Sequence, residues 1–366
     1  MYELETSARK LLGFLVDEET TQEETEEREE IFKSICLEFK KNYEKIIGDY
    51  NCVFPLSKNH IDKIREIKFE NLLPILQEVV EYDFINEYRH YDNGMMSNEK
   101  KADIINEHNP TLKLLKYKNS YDGYESSKNA SKYGFDCDDW NGTCGLARRL
   151  YEKLWGWDYV EDKFTNKQKE NTPRVIKGEL KTVWEKGNVK TNSDTMNSYA
   201  KTVISALGAR SIKDLEENYN LYSERINDVY REFALFNHTI GNLTVIPYYA
   251  VFYNGERKSF NGTRAFCGCI KDFWDLSLVL LRDEQNFGSE LFKEYVDIFL
   301  QWDYVDDNYE PLPLFAGHLD KDANVMPQNA KDFKDFFINV TERIKARGTL
   351  IVIILMLTKM NEKAYL

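Results

Sequence analysis

The sequence predicts a mainly α-helical, multi-helical protein with at most a small β element around residues 241–266. Apolar residues recur at helical spacing in several long stretches, whereas sustained alternation of apolar and polar residues is rare. Asn-Gly pairs at 254–255 and 261–262 are typical of turns in a loop or short hairpin. The chain has 366 residues, of which 42% are hydrophobic, so it can build a real core without disulfides.

The N-terminal region, residues 1–92, is predicted to be helical. Between Glu23 and Ile47, Ile31, Ile35 and Phe39 recur at helical spacing, and the acidic residues before them form the solvated first turns of an amphipathic helix. Two further helical stretches follow, one after Ser57 and one over residues 72–88.

Residues 93–134 are rich in Asn, Ser, Gly and Lys and are predicted to be a weakly ordered connection. Residues 135–366 then form a predicted C-terminal helical domain. Its predicted helices are 146–155, one entered at 192–195, 215–236, 273–282, 290–299 and 333–346. The apolar run at 349–358 is too short for the roughly 20 residues that span a bilayer, so we expect a buried helix or strand and no membrane partner.

Charge is unevenly distributed along the chain. The net charge is -13, but residues 17–30 hold nine acids and one Arg, a net of -8. Residues 163–190 hold eight basic residues against three acids, a net of +5. We call residues 163–190 the basic segment, and we expect it to be an exposed surface to which polyanions bind. The acidic helix is expected to suit a basic protein partner.

The first residues lack the features of a secretory signal, and six cysteines are scattered along the chain, so a cytoplasmic protein with reduced thiols is expected. Neither Cys267-Gly-Cys269 nor the pair Cys137 and Cys144 has the spacing of a zinc knuckle. No Gly-rich phosphate loop occurs, so familiar ATP or dinucleotide chemistry is not indicated.

The segment FNHTIGNLTVIP, residues 236–247, is the best candidate for chemistry. An imidazole there can face a cleft at a helix end, or it can simply cap the preceding helix. Amide and guanidinium groups nearby suit an oxyanion, although Asn and Gly also fill ordinary turns. The candidate catalytic residues are His238, Asn242 and Asn261, and the candidate anion-binding residues are Asn237, Arg257 and Arg264.

This segment belongs to an ordered set that resembles a bacterial family known only as a domain of unknown function. The set comprises HTIGNLT from His238, FNGTRAF at 260–266, DFWDLSL from Asp272 and RIKARG at 343–348. The segments LARRLYEKLW and NSDTMNSYAK fit the same pattern, so the resemblance covers about residues 135–350. Because that family has no known activity, it implies no catalytic roles.

The piece HTIGNLTVIP is also similar to the second half of the His-Asn-His (HNH) endonuclease domain of type IV restriction enzymes. In that family a histidine from an earlier segment activates water beside one divalent metal ion. This sequence lacks a matching earlier segment, because His60 and His108 stand in different contexts. Another acid would have to act as the base, and the candidates are Asp194, Asp272 and Asp275, each of which also suits a helix cap or a solvated helix face.

Three functions follow as hypotheses. The first is a cytoplasmic bacterial protein that engages phosphate or nucleic acid through an Asn/His/Arg-lined pocket, in a phage-defence setting implied by the second resemblance. The second is a divergent HNH-like nuclease, which would require a divalent metal ion as cofactor. The third is a non-enzymatic interaction module that uses its acidic N-terminal helix.

Overall fold

The structure is a computed structural model, and it describes only part of the chain. The described residues are 6–47, 58–82, 150, 153–154, 181–182, 190–191, 227–236, 239–244, 247–248, 250–253, 255–259, 273–320 and 329–362. The predicted connection at 93–134 and the predicted helices at 146–155 and 192–195 lie wholly or mostly outside them. The prediction of three regions bounded at 92 and 134 therefore stays a prediction.

Helices dominate the described residues, which confirms the predicted mainly α fold. They are α1 (Ser7–Leu15), α2 (Gln22–Ile47), α3 (Lys58–Arg65), α4 (Pro74–Val80), α5 (Asn227–Phe236), α6 (Trp274–Arg282), α7 (Gly288–Ile298) and α8 (Ala330–Glu362). Short 3₁₀ turns occur at Phe69–Asn71 and Trp302–Tyr304. The predicted bounds of α2, α6 and α7 agree with the structure to within two residues.

The longest helix, α8, is the centre of the core. Its 33 residues extend for about 50 Å. The apolar run Leu350–Leu357 is buried and lies within α8, so of the two expected alternatives, a buried helix or a buried strand, the helix is confirmed. Helices α1, α3 and α4 from the N-terminal region and α5 from the later region all contact α8, so their buried residues share one core. Within the described residues, no helix is both long enough and apolar enough to cross a membrane.

The β structure consists of three two-stranded antiparallel pairs. The hairpin β5 (Ala250–Tyr253) and β6 (Glu256–Ser259) turns at Gly255, whose φ is +79°. Strand β3 (Leu243–Thr244) pairs with β2 (Lys190–Thr191), and strand β4 (Pro247–Tyr248) pairs with β1 (Lys181–Thr182). The small β element predicted at 241–266 is thus confirmed, and the sequence did not predict that two of its strands pair with the basic segment.

Part of the acidic run is used in ion pairs instead of facing solvent. Glu18 accepts two hydrogen bonds from Arg9, at 2.6 and 2.8 Å, and a third from the buried Arg28 at 3.1 Å. Gly13 leaves room for that guanidinium, because a Cβ there would lie 2.4 Å from Nη1 of Arg28. The loop between α1 and α2 is therefore fixed by charge as well as by packing.

A second ionic cluster fixes the C-terminal end of α8. Asp17 lies next to Lys359, which is 2% exposed, and accepts a hydrogen bond from Lys153 at 2.6 Å. Lys153 also contacts Glu362 at 2.7 Å. Burial by itself would raise the pKa of Asp17, but the hydrogen bonds from Lys153 and Lys359 outweigh it and lower that pKa. The cluster joins the N-terminal loop to the last turn of α8.

We expect Asp17→Asn to lower the melting temperature at neutral pH, because it removes the nearer of the two carboxylates beside the buried Lys359. Asparagine tolerates the left-handed backbone of Asp17, φ +52°, so the change isolates the charge. A carboxylate with a lowered folded-state pKa stabilises above its unfolded pKa and loses this effect as the pH falls through the folded value. The difference from wild type should therefore shrink in acid.

Melting curves from about pH 7 down to about pH 2 provide the measurement. Glu19→Gln is the matched control, since Glu19 is exposed in the same loop and should change the curves little. A melting-temperature difference for Asp17→Asn that stays constant down to the acid end would show that Asp17 does not stabilise the fold through its charge.

Candidate functional site

The structure describes only two of the six predicted site residues. Asn242 lies in the turn between α5 and β3, and its side chain is fully buried. Arg257 lies in β6, where its backbone pairs with that of Phe252. His238, Asn237, Asn261 and Arg264 lie outside the described residues, so their proposed roles stay predictions.

The turn itself, residues 239–242, is closed by its own hydrogen bonds. The Thr239 hydroxyl donates to the Phe236 carbonyl at 2.8 Å, and the Thr239 carbonyl accepts from the amides of Asn242 and Leu243 at 3.0 and 3.2 Å. Thr239 through Thr244 are all buried. The described part of the motif is therefore an interior turn and not a surface loop.

A buried guanidinium donates hydrogen bonds to the carbonyl groups of this turn. Arg347 in α8 is 0% exposed, and its Nη1 donates to the carbonyls of Ile240, Gly241 and Leu243 at 3.3, 2.9 and 2.6 Å. Its Nε and Nη2 both donate to the Phe299 carbonyl, at 3.1 and 3.0 Å. One side chain thus joins the turn, the end of α7 and α8.

Two glycines allow the turn to approach α8 this closely. A Cβ on Gly241 would lie 1.9 Å from the carbonyl oxygen of Ile344 and 2.9 Å from the amide nitrogen of Gly348. A Cβ on Gly348 would lie 2.8 Å from Cγ1 of Val80 in α4. The segments HTIGNL and RIKARG, far apart in the sequence, are therefore in backbone contact.

Strand β3 is tied to the helical core through Gln301. The Gln301 amide donates to the Thr244 hydroxyl at 3.0 Å, and its Oε1 accepts from the Trp274 indole at 2.9 Å. In the neighbouring hairpin, the Phe252 amide donates to Oδ1 of Asn286 at 2.7 Å. Buried amide side chains thus fix β3, which pairs with β2, and β5 of the hairpin.

The basic segment reaches the motif through its two strands. Lys181 pairs with Tyr248 and Thr182 with Pro247, while Lys190 pairs with Thr244 and Thr191 with Leu243. These are backbone pairings, and they place both ends of the 181–191 stretch against the strands that follow the turn. The region therefore combines the motif with the segment of highest positive charge.

The structure also contains a buried acid–imidazole pair that the sequence revealed only in part. Nδ1 of His318 lies 2.5 Å from Oδ2 of Asp275, and both side chains are 0% exposed. The same carboxylate accepts from the Leu314 amide at 2.9 Å, and the imidazole stacks on Phe315 with centroids 4.1 Å apart. Asp275 was a predicted acid candidate, but His318 was missed because the two residues are 43 positions apart.

A carboxylate can orient an imidazole for general base catalysis, but a base must reach its substrate. Because both side chains are shielded from solvent, the pair instead fixes the loop at 314–318 against the start of α6. Within the described residues, no group of three or more His, Cys, Asp or Glu side chains is placed to hold a metal ion.

An open cleft of about 810 Å³ lies between residues 62–70 and one face of α8. Its basic side chains are held by nearby acceptors: Arg65 donates to Asp303 at 3.0 Å, and Arg343 donates to the carbonyls of Leu312 and Pro313. Lys345 is paired with two glutamates. The cleft is lined by charges of both signs, namely Asp62, Arg65, Glu66, Lys68, Glu70, Asp303, Glu342, Arg343 and Lys345. It therefore lacks the positive bias that a polyanion requires.

Comparison of the chain with protein-family models, with curated proteins and with solved structures gave no match. The two resemblances described above therefore remain predictions from the sequence. The residues that sequence reasoning missed, Arg347, Gln301 and His318, all act inside the core. Only Arg347 had a sequence signal, since it belongs to the RIKARG segment.

We expect Gly241→Ala to destabilise the fold by more than about 2 kcal/mol, because the added methyl would meet backbone atoms of α8 that cannot rotate away. Chemical denaturation measures this. Gly255→Asn is the control: its position is open and asparagine tolerates its positive φ, so the change should stay within about 0.5 kcal/mol. Equal unfolding free energies for the two variants would contradict the close approach of Gly241 to α8.

Proposed function

We propose that this protein binds a polyanion, nucleic acid or another phosphate-bearing ligand, at the β region that follows the 239–242 turn. The observation that carries the proposal is the pairing of β1 and β2 with β4 and β3, which attaches the basic segment to the motif. The backbone pairings fix Lys181 and Lys190 of the basic segment beside the motif, and lysines in fixed positions contact phosphates at a smaller entropic cost than lysines of a free chain.

The local charge of this region favours the same ligand class. The basic segment carries eight basic residues against three acids, and Arg257 is added by β6 of the adjacent hairpin. Phosphate contacts release counterions, so binding by such a surface falls steeply with salt. The strongly acidic residues 17–30 lie elsewhere in the chain, where α2 and its preceding loop use them.

The proposal assigns different roles to the predicted site residues. Asn242 is buried, so it supports the turn and does not contact the ligand. Phosphate contacts are assigned to the lysines of the basic segment and to Arg257, whose guanidinium suits bidentate contact with an oxyanion.

The test is fluorescence anisotropy with a labelled single strand and a labelled duplex of about 30 nucleotides, at about 50 mM and about 200 mM salt. We expect the variant with Lys163, Lys167, Lys169 and Lys177 changed to Glu to bind at least about tenfold more weakly than wild type, with a shallower salt dependence. The control changes four lysines outside the basic segment to Glu, which alters the net charge by the same amount: Lys63, Lys68, Lys293 and Lys334.

The control variant should bind within about threefold of wild type at the higher salt concentration, because long-range charge effects are screened there. If wild type binds neither probe at low salt, or if the two variants lose affinity equally, the basic segment is not a polyanion site.

A second candidate function, a protein-interaction role for the acidic N-terminal helix, is favoured by one observation. The first turns of α2 carry a row of exposed glutamates that make no contact with the core, including Glu23, Glu26 and Glu30. The distribution of charge along the whole of α2 indicates what kind of partner it binds.

A further inference from the structure

Helix α2 has one buried face and one exposed face along nearly its whole length. Phe32, Ile35 and Phe39 are buried and face α1 and the core. The backbone of α2 departs from helical geometry at Tyr43, with φ -124° and ψ 28°, so helical spacing applies only before that residue. Taking 100° per residue, the opposite stripe contains Glu23, Glu26, Glu30, Lys33, Leu37 and Lys41, all of which are exposed. From Glu23 to Lys41 this stripe is about 27 Å long.

The charges of α2 separate along the helix. Residues 22–32 hold six glutamates and one arginine, a net of -5, whereas residues 33–47 hold four lysines and two glutamates, a net of +2. The helix therefore carries, in its second half, the basic complement of its own first half. A two-fold interface requires such a self-complementary surface, since each patch must face its counterpart in the other copy.

We propose that the partner of α2 is a second copy of this chain, bound with the two α2 helices antiparallel. The antiparallel direction sets the acidic half of each helix against the basic half of the other and also opposes their macrodipoles favourably. A parallel arrangement would set the glutamates of both copies against each other, which costs free energy. This inference is independent of polyanion binding by the basic segment.

A two-fold axis that crosses the exposed stripe at the level of Ile35 and Cys36 along α2 gives a consistent register. It places Glu30 opposite Lys41 of the second copy, and both residues lie on the exposed stripe before the kink at Tyr43.

The apolar contribution at the centre of this interface comes from Leu37. It is 75% exposed, the most exposed of the large hydrophobic side chains that the structure describes. In the proposed register Leu37 lies opposite Ser34 of the second copy, next to the axis. A single exposed leucine is common on protein surfaces, so the charge pattern, and not Leu37, identifies the partner.

Two helices packed through one stripe form a small interface that depends on charge. The association should therefore be weak and sensitive to salt, because exposed ion pairs are screened. Sedimentation velocity over a range of concentrations should show a monomer–dimer equilibrium at about 50 mM salt and monomer at about 500 mM salt.

Charge-reversal variants test the orientation. Glu26→Lys with Glu30→Lys changes the net charge of residues 22–32 from -5 to -1, and Lys41→Glu with Lys45→Glu changes that of residues 33–47 from +2 to -2. Each variant alone should associate more weakly than wild type, while an equimolar mixture of the two, which restores opposite charges at positions 30 and 41, should associate more tightly than either variant alone. A variant that failed to fold could not restore association in the mixture, so recovery excludes a folding defect.

Leu37→Lys, close to the axis, should weaken the wild-type dimer at least about tenfold, whereas Ile338→Lys, which replaces an exposed apolar residue of α8, should not. The inference is overturned if wild type is monomeric at all concentrations at low salt. It is also overturned if the charge-reversal variants dimerise like wild type, or if their mixture stays monomeric.

Discussion

The structure depends on the guanidinium of Arg347, a buried cation that is stabilised by backbone carbonyls. Removing a charge from water is expensive unless its donors are satisfied, and an arginine has five donors in a fixed planar arrangement. Nη1 of Arg347 donates to carbonyls of the 239–242 turn and of β3, and its Nε and Nη2 both donate to the Phe299 carbonyl at the end of α7. The side chain therefore fixes three separate segments at one point on the central helix.

The positions of the surrounding elements depend on this contact. Because Gly241 and Gly348 lack side chains, the turn can rest on the backbone of α8, and β3 then begins at a defined place. Gln301 holds β3 to α6 through Trp274, and Asn286 holds the hairpin to α6 through Leu280, so β2 of the basic segment has a fixed partner in β3. At the far end of α8, the pair of Asp17 and Lys359 secures the N-terminal helices on the same axis.

Sequence patterns predict much of this fold because α2, α6 and α7 each bury a stripe of apolar residues with helical spacing. The full length of α8 has no such signal. Its second half is apolar on every side, since it is surrounded by other helices, and a pattern without periodicity does not separate a helix from a strand. The helix α1 falls within the region 1–92 that is predicted to be helical, but at nine residues it is too short for its apolar spacing to define bounds.

The candidate site was less predictable because its contacts join distant parts of the chain. Nothing local in RIKARG indicates that Arg347 meets carbonyls about 100 residues earlier, and two-residue strands such as β1 and β2 have no detectable alternation. The Asp275–His318 pair likewise depends on the tertiary fold. The polar residues of the segment containing His238 predict a site, yet the described part of this segment is an interior turn held by an arginine.

The role of Arg347 is tested most directly by the unfolding free energy of Arg347→Met, measured by chemical denaturation beside Arg282→Met, in which a partly exposed arginine with a surface ion pair is replaced. Loss of the guanidinium leaves buried carbonyls without donors, so Arg347→Met should destabilise the protein by at least about 2 kcal/mol, whereas Arg282→Met should cost less than about 1 kcal/mol. An Arg347→Met variant as stable as wild type would contradict the central place given to this interaction.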